Sequence, residues 1–368
     1  MIGRPVAELD TPALCIDLDI MDANMRSMAE FLASKGKQWR PHVKCHKLPI
    51  IAHQQHRYGA IGVTSAKSTE AEIFAYAGIP DILIANMLAG EQKLQRVASM
   101  CRWANPVVAV DHFAQAEQLS QVCERRGVRC RVIIELDVGM TRVGARPGPD
   151  VRELAQGIDR LPGVKLVGIM GYEGHLLLEQ DPELKRTKIF SAMALLEQAR
   201  DQMIADGINC DIVSAGGTGS YQITADHPAV TELQAGGGIF ADPFYIERCS
   251  VTGLTPALRL LVTVASRPKL ERAVLDAGRK SLHPDIHPPQ VWRTVEGRPL
   301  VDAEVKGLSA EHMTLELGPE SRDLVIGDKL EVIPGYSDHT TALHDRFFGI
   351  RGGLVEAIWE IPGRGKIQ

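Results

Sequence analysis

Between about residues 38 and 242 the chain repeats one pattern. A short, nearly continuous run of Val, Ile and Leu is followed by a loop, then by a stretch whose apolar residues recur three and four apart. The short runs fall at 39–44, 60–64, 81–85, 107–110, 131–136, 165–170, 211–214 and 230–233. Runs apolar on both faces suit strands of a parallel sheet buried under helices. The stretches between them carry the helical period. In 187–206, Ile189, Met193, Leu196 and Met203 share one side, and Gly207 supplies a stop. Gly59, Gly78 and Gly127 end three other stretches in the same way. Eight strands alternating with helices predict an α/β fold, a (β/α)8 TIM barrel of about 200–250 residues. A doubly wound open sheet has the same elements and differs only in closure.

After about residue 250 the pattern changes to short β-like runs broken by Gly and Pro, among them MTLEL, DKLEVIPG and LVEAIWEIPGRG. These predict a C-terminal all-β domain. The opening PALCIDLDI is also strand-like and suited to pair with it. With 368 residues the chain exceeds the usual single-core size of about 250–300. The expected division is a barrel over 20–250 and a β domain formed by 1–19 and 251–368. Charge changes the picture little: 41 Lys and Arg against 46 Asp and Glu give a net charge of −5 without a basic run, which argues against nucleic acid. No apolar run reaches about 18 residues, and MIGRPVAELDTP lacks an apolar leader core, so neither a membrane nor a secretory route is expected and the cytoplasm is. Seven scattered cysteines with no CxxC pair argue against a disulfide framework and a cysteine zinc site.

The densest polar cluster is RPHVKCHK, residues 40–47, at the end of the first barrel strand. Active sites of barrels are built at that end. A lysine among other cations has its ammonium disfavoured, and the free amine suits Schiff-base chemistry. A basic surface turn is the other reading of this octet. After the seventh strand comes Ser214-Ala215-Gly216-Gly217-Thr218-Gly219-Ser220, and after the eighth Gly236-Gly237-Gly238. Glycines let backbone N–H groups approach an anion, and loops after strands seven and eight are where barrels hold phosphate. Neither run is a P-loop or a dinucleotide fingerprint. Strand five ends in ELDVGMTR, with Glu135, Asp137 and Arg142, and strand six in Tyr172-Glu173-Gly174-His175. A lysine, an arginine, a tyrosine and a histidine beside a phosphate cradle fit a phosphorylated aldehyde cofactor, pyridoxal phosphate.

Together these segments resemble the fold-type III pyridoxal-phosphate enzymes, and within them the D-threonine aldolase / D-serine dehydratase family, more distantly alanine racemase. The resemblance runs through TPALCIDLD, RPHVKCHK, ELDVGMTRVG, GYEGH, VSAGGTGSY, TELQAGG, LDAGRKSL, LSAEH and LHDRFFGIRGG, nearly the whole chain. It implies that Lys44 holds the cofactor as a Schiff base and that Arg142 contacts the ring side. Ser214, Gly216, Gly217, Thr218, Gly236 and Gly237 would hold the phosphate. Tyr172 would lie near the ring, and His175 would act on the substrate's β-hydroxyl. It implies an alanine racemase-like barrel and a homodimer acting on a D-amino acid.

One departure concerns a metal. The family holds a divalent ion such as Mg²⁺ or Mn²⁺ through a His-x-Asp or His-x-Cys pair ahead of Leu-His-Asp. Here Asp338 keeps the second position while Tyr336 stands at the first, and a neutral phenol is a poor ligand. His339 is shifted to the opposite face if the segment is extended. Two outcomes remain for a D-3-hydroxy amino acid. Breaking Cα–Cβ releases an aldehyde and glycine, a retro-aldol cleavage; breaking Cα–H expels the hydroxyl and gives a keto acid and ammonia. An aspartate at 338 looks more aldolase-like. An amino-acid racemase, a non-catalytic pyridoxal-phosphate-binding protein and a phosphosugar-binding barrel are the rivals.

Overall fold

The computed structural model describes residues 1–368, which form two compact units. One comprises Met1–Met25, Gly237–Glu247 and Thr252–Arg364; the other comprises Arg26–Gly236, Arg248–Val251 and Gly365–Gln368. The chain opens with β1 (Ala13–Asp17) and α1 (Leu18–Ser34).

The second unit then alternates strand and helix. Its elements are β2 (Gln38–Trp39), α2 (Pro49–Arg57), β3 (Val63–Ser65), α3 (Ser68–Tyr76), β4 (Asp81–Ile84) and α4 (Glu91–Met100). They continue with β5 (Asn105–Val110), α5 (Phe113–Arg125), β6 (Cys130–Leu136), α6 (Pro149–Asp159), β7 (Val164–Gly171) and α7 (Pro182–Ala205). The last are β8 (Ile212–Ala215), the one-turn α8 (Tyr221–Thr224) and β9 (Glu232–Leu233). All eight apolar runs of the sequence become parallel strands, in the order β2-β9-β8-β7-β6-β5-β4-β3. Parallel bridges Trp39↔Ala60 and His42↔Thr64, with Thr64 N–H donating to the Pro41 carbonyl at 2.9 Å, join the two ends of that ladder. The open-sheet alternative is thereby excluded. α2, α3, α5 and α7 are each followed by a glycine with positive φ (Gly59, Gly78, Gly127, Gly207), where a Cβ would strain the backbone.

Successive residues of a strand face opposite ways, so alternate positions fill the barrel in layers. Leu83, Val107, Ala109, Ile133 and Met170 form one interior cluster. On β6, Arg131, Ile133 and Glu135 therefore share a face. At the start of the strands the filling is ionic: the buried Arg40 guanidinium bonds Glu232 at 2.9 Å and Asp81 at 2.5 Å, and Arg131 bonds Asp81 at 2.7 Å.

The first unit adds β10 (Leu258–Lys269), β11 (Arg272–Leu275), β12 (Gln290–Thr294), β13 (Ala303–Leu308), β14 (Met313–Leu317), β15 (Lys329–Ile333), α9 (Ser337–Thr341), β16 (Arg346–Arg351) and β17 (Leu354–Glu360). Its sheet runs β13-β14-β11-β10-β1-β16-β17, with β15 bridging β10 and β12. β1 pairs antiparallel with β10 and parallel with β16, as its strand-like sequence suggested. The segment after Tyr336 is helical, not extended. Tyr336 caps α9, so successive side chains there are about 100° apart and do not point to opposite faces.

Candidate functional site

Lys44 sits in a single helical turn, Val43–Cys45, beyond β2, and is half-buried. His42 caps that turn, its Nδ1 accepting the Lys44 N–H at 3.2 Å. Burial, followed by the charges of Lys44, Lys47, His46 and Arg142, pushes the His42 imidazole well below its usual range, so it stays neutral. Behind the turn the Cys45 thiol donates to the Gly236 carbonyl at 3.5 Å.

Two of the cations flanking Lys44 in sequence have acidic partners of their own. Arg40 is committed to Glu232 and Asp81 at the far end of the barrel filling, and Lys47 is paired with the buried Glu70. Consecutive residues leave the strand end in different directions, which a linear octet hides.

The loop after β6 is shaped by Asp137, whose Oδ1 accepts the N–H groups of Gly139 and Thr141, each at 2.9 Å. That turn carries Arg142, half-exposed, with its guanidinium 5.7 Å from the Tyr172 ring centre and its Nη2 3.5 Å from Glu135 Oε1. Gly139 packs on His175, so a Cβ there would lie 2.9 Å from the imidazole Nε2. The loops after β6 and β7 are thus brought together. Burial raises the Tyr172 phenol, against the opposing charges of Lys44 and Arg142. His175 lies exposed on the short turn Gly174–Leu176.

At the ends of β8 and β9 the glycines are required by space. A Cβ on Gly217 would lie 2.8 Å from the Tyr172 ring, one on Gly236 would strike the His42 backbone, and one on Gly216 would strike Leu233. Ser214 is fully buried, its Oγ accepting from Gln234 Nε2 at 3.0 Å, and Thr218, four residues on, is also buried. Beneath the turn, the fully buried Glu173 accepts from Thr224 Oγ1 at 2.5 Å and from the Gly216 N–H at 3.4 Å.

Of the residues singled out in the sequence, Lys44, Arg142, Tyr172, His175, Ser214, Gly216, Gly217, Thr218 and Gly236 belong to the barrel unit. Gly237 and Asp338 belong to the other unit. A Cβ on Gly237 would lie 2.8 Å from the Tyr245 ring. The sequence assigns no role to Glu135, Glu173 or His42. Strand alternation was the available signal for Glu135, two residues beyond the interior Ile133.

An amine beside glycine turns that no side chain can fill suits pyridoxal phosphate, with backbone N–H groups at its acid tail. The residues do not fit a metal. The Tyr336 phenol, at the first ligand position of the motif, donates to Asp338 Oδ2 at 2.8 Å. Nowhere do three His, Cys, Asp or Glu side chains converge as an ion would require.

Residues 16–243 match the family profile of the alanine racemase N-terminal domain, and 257–350 that of a serine dehydratase domain. A D-threonine aldolase of an Arthrobacter species is 35% identical over 99% of this chain and 95% of its own length. The crystal structure of D-threonine aldolase from Filomicrobium marinum superposes with a TM-score of 0.95 at 32% identity, covering 100% of this chain and 99% of that one. D-threo-3-hydroxyaspartate dehydratase from a Delftia species gives 0.86 at 27%, covering 97% and 98%.

Proposed function

The chain belongs to the alanine racemase N-terminal domain family, and from that premise we propose that it is a pyridoxal-phosphate-dependent lyase of D-3-hydroxy amino acids, cleaving them to glycine and an aldehyde. The observation that carries this reading is the half-buried Lys44 amine in the same barrel end as Arg142, Tyr172 and the glycine turns. When bound, the cofactor supplies an electron sink for the bond broken at the substrate's Cα. The chain's own residues do the rest. Lys44 is the covalent anchor. Ser214, Gly216, Gly217, Thr218 and Gly236 line the seat of the acid tail. Arg142 and Tyr172 orient the ring, and His175 takes the β-hydroxyl proton so that the aldehyde can leave. Asp338 is hydrogen-bonded to Tyr336.

The catalytic segment in this reading is 20–250, with 1–19 and 251–368 as the β domain, in a cytoplasmic homodimer. A dehydratase yielding a keto acid and ammonia is the second reading, supported by the Delftia relative.

Incubation with D-threonine, D-serine, D-phenylserine and D-3-hydroxyaspartate, scoring aldehyde against keto acid, tests the choice. Aldehyde and glycine are expected. Keto acid alone would move the chain to the dehydratases, and inversion of configuration to the racemases. Borohydride followed by mass mapping should find the adduct on Lys44, and Lys44→Ala should abolish turnover. Turnover retained in that variant would overturn the proposal.

A further inference from the structure

Glu135 ends the inward-facing row of β6 and is 3% exposed. Its Oε1 lies 3.5 Å from Arg142 Nη2, a long contact for an ion pair. Its Oε2, equally shielded, meets no hydrogen-bond donor. A buried carboxylate oxygen without a donor is costly, and native proteins retain such groups mainly where function uses them. The charged groups facing it are Asp111 at the end of β5, Asp137 and Arg142 in the loop after β6, and no charge from β7, whose residue in register is Met170. Burial, opposed by Arg142 and reinforced by the two aspartates, pushes the Glu135 carboxyl up to about 7. The group therefore changes charge near neutrality, beside an arginine whose own charge is fixed.

We infer that Glu135 is the positioning residue for Arg142: ionised, it draws the guanidinium into place at the barrel mouth, and protonated, it releases it, so the hold on the cofactor changes with one proton. This rests on reading that mouth as the pyridoxal-phosphate site. Glu135 need not touch cofactor or substrate; it acts through Arg142. A carboxyl kept only for packing would affect stability without altering how cofactor affinity depends on pH.

The test is the dissociation constant of pyridoxal phosphate, read from absorbance at pH 6, 7 and 8, for the wild-type chain, Glu135→Gln and Glu135→Asp. The cofactor titrates in this range itself, so the difference between variants is the readout. The wild-type affinity should tighten between pH 6 and 8 by about tenfold more than that of Glu135→Gln, the worth of one charge-assisted hydrogen bond. Glu135→Asp should restore a pH dependence with a displaced midpoint. Parallel profiles for wild type and Glu135→Gln overturn the inference. Should Glu135→Gln not fold, Glu135→Asp decides, and an unmoved midpoint overturns it. A chain that takes up no pyridoxal phosphate sinks the cofactor reading and this inference together, whereas normal uptake with an unaltered profile sinks the inference alone.

Discussion

Glu135 illustrates how a single buried proton links stability to chemistry. Its folded pKa of about 7 lies above the ordinary 4.5, so between those values the folded chain binds a proton that the unfolded chain does not. The stability this contributes is complete below about pH 4.5 and is lost as pH rises through 7. Glu135→Gln never ionises, so its stability relative to wild type should climb between pH 5 and pH 8. The shift of about 2.5 pKa units bounds that climb at roughly 3 kcal/mol, readable by urea denaturation at the two pH values. A flat difference would mean the carboxyl is not titrating there. Gly236→Ala makes a sharper local prediction: its Cβ would meet the His42 backbone, not a side chain that can swing away. The turn must shift, and the expected result is a loss of cofactor affinity of at least tenfold with a stability cost of about 1–3 kcal/mol. The places of Lys44 and the glycine turns at strand ends were legible in the sequence because strand ends have local signatures. The fate of Arg40 was not, because its partners Glu232 and Asp81 lie 192 and 41 residues away.

Those long-range partners matter most for the elements they tie. Arg40 follows β2, Glu232 opens β9 and Asp81 opens β4, so one guanidinium links three strands inside the barrel. Both the Arg40 and Glu232 side chains are almost fully shielded, at 3% and 2% exposure. Removing one partner leaves an uncompensated buried charge, so Glu232→Gln should destabilise the barrel by about 3–5 kcal/mol, measured by chemical denaturation. Replacing Arg40, Arg131, Glu232 and Asp81 together by apolar residues of similar volume should cost clearly less, because no charge of the cluster is then stranded. All eight parallel strands were visible as apolar runs because burial on both faces leaves a continuous signal. The segment after Tyr336 was weighed as if extended; five residues, SDHTT, carry too little periodicity to announce α9. That helix turns His339 toward His283 and leaves the Tyr336 phenol on Asp338, a local outcome that composition could not settle.

At the scale of the molecule, the sequence distinguished a βα-repeating part from a β-rich part but not the strand order of the latter. A sheet running β13-β14-β11-β10-β1-β16-β17 is set by pairings between residues as distant as Ala13 and Leu261, which no local pattern records. The chain as a whole offers no three-ligand metal cluster, so dialysis against EDTA should leave both its unfolding midpoint and its bound-cofactor absorbance unchanged. A cofactor does bear on global stability, because binding only the folded state adds RT ln(1 + [L]/Kd), about 2.7 kcal/mol at a hundredfold excess over Kd. Spread over the unfolding entropy of 368 residues, about 2.1 cal/mol/K each, that corresponds to a midpoint rise of roughly 3–4 °C for a single transition. Calorimetry of the cofactor-free chain with and without pyridoxal phosphate should show this rise. In Lys44→Ala the rise should shrink, since the acid-tail cradle survives while the covalent anchor does not. An equal rise in both would mean that the amine contributes nothing to holding the cofactor, and the anchor would have to be sought in another lysine.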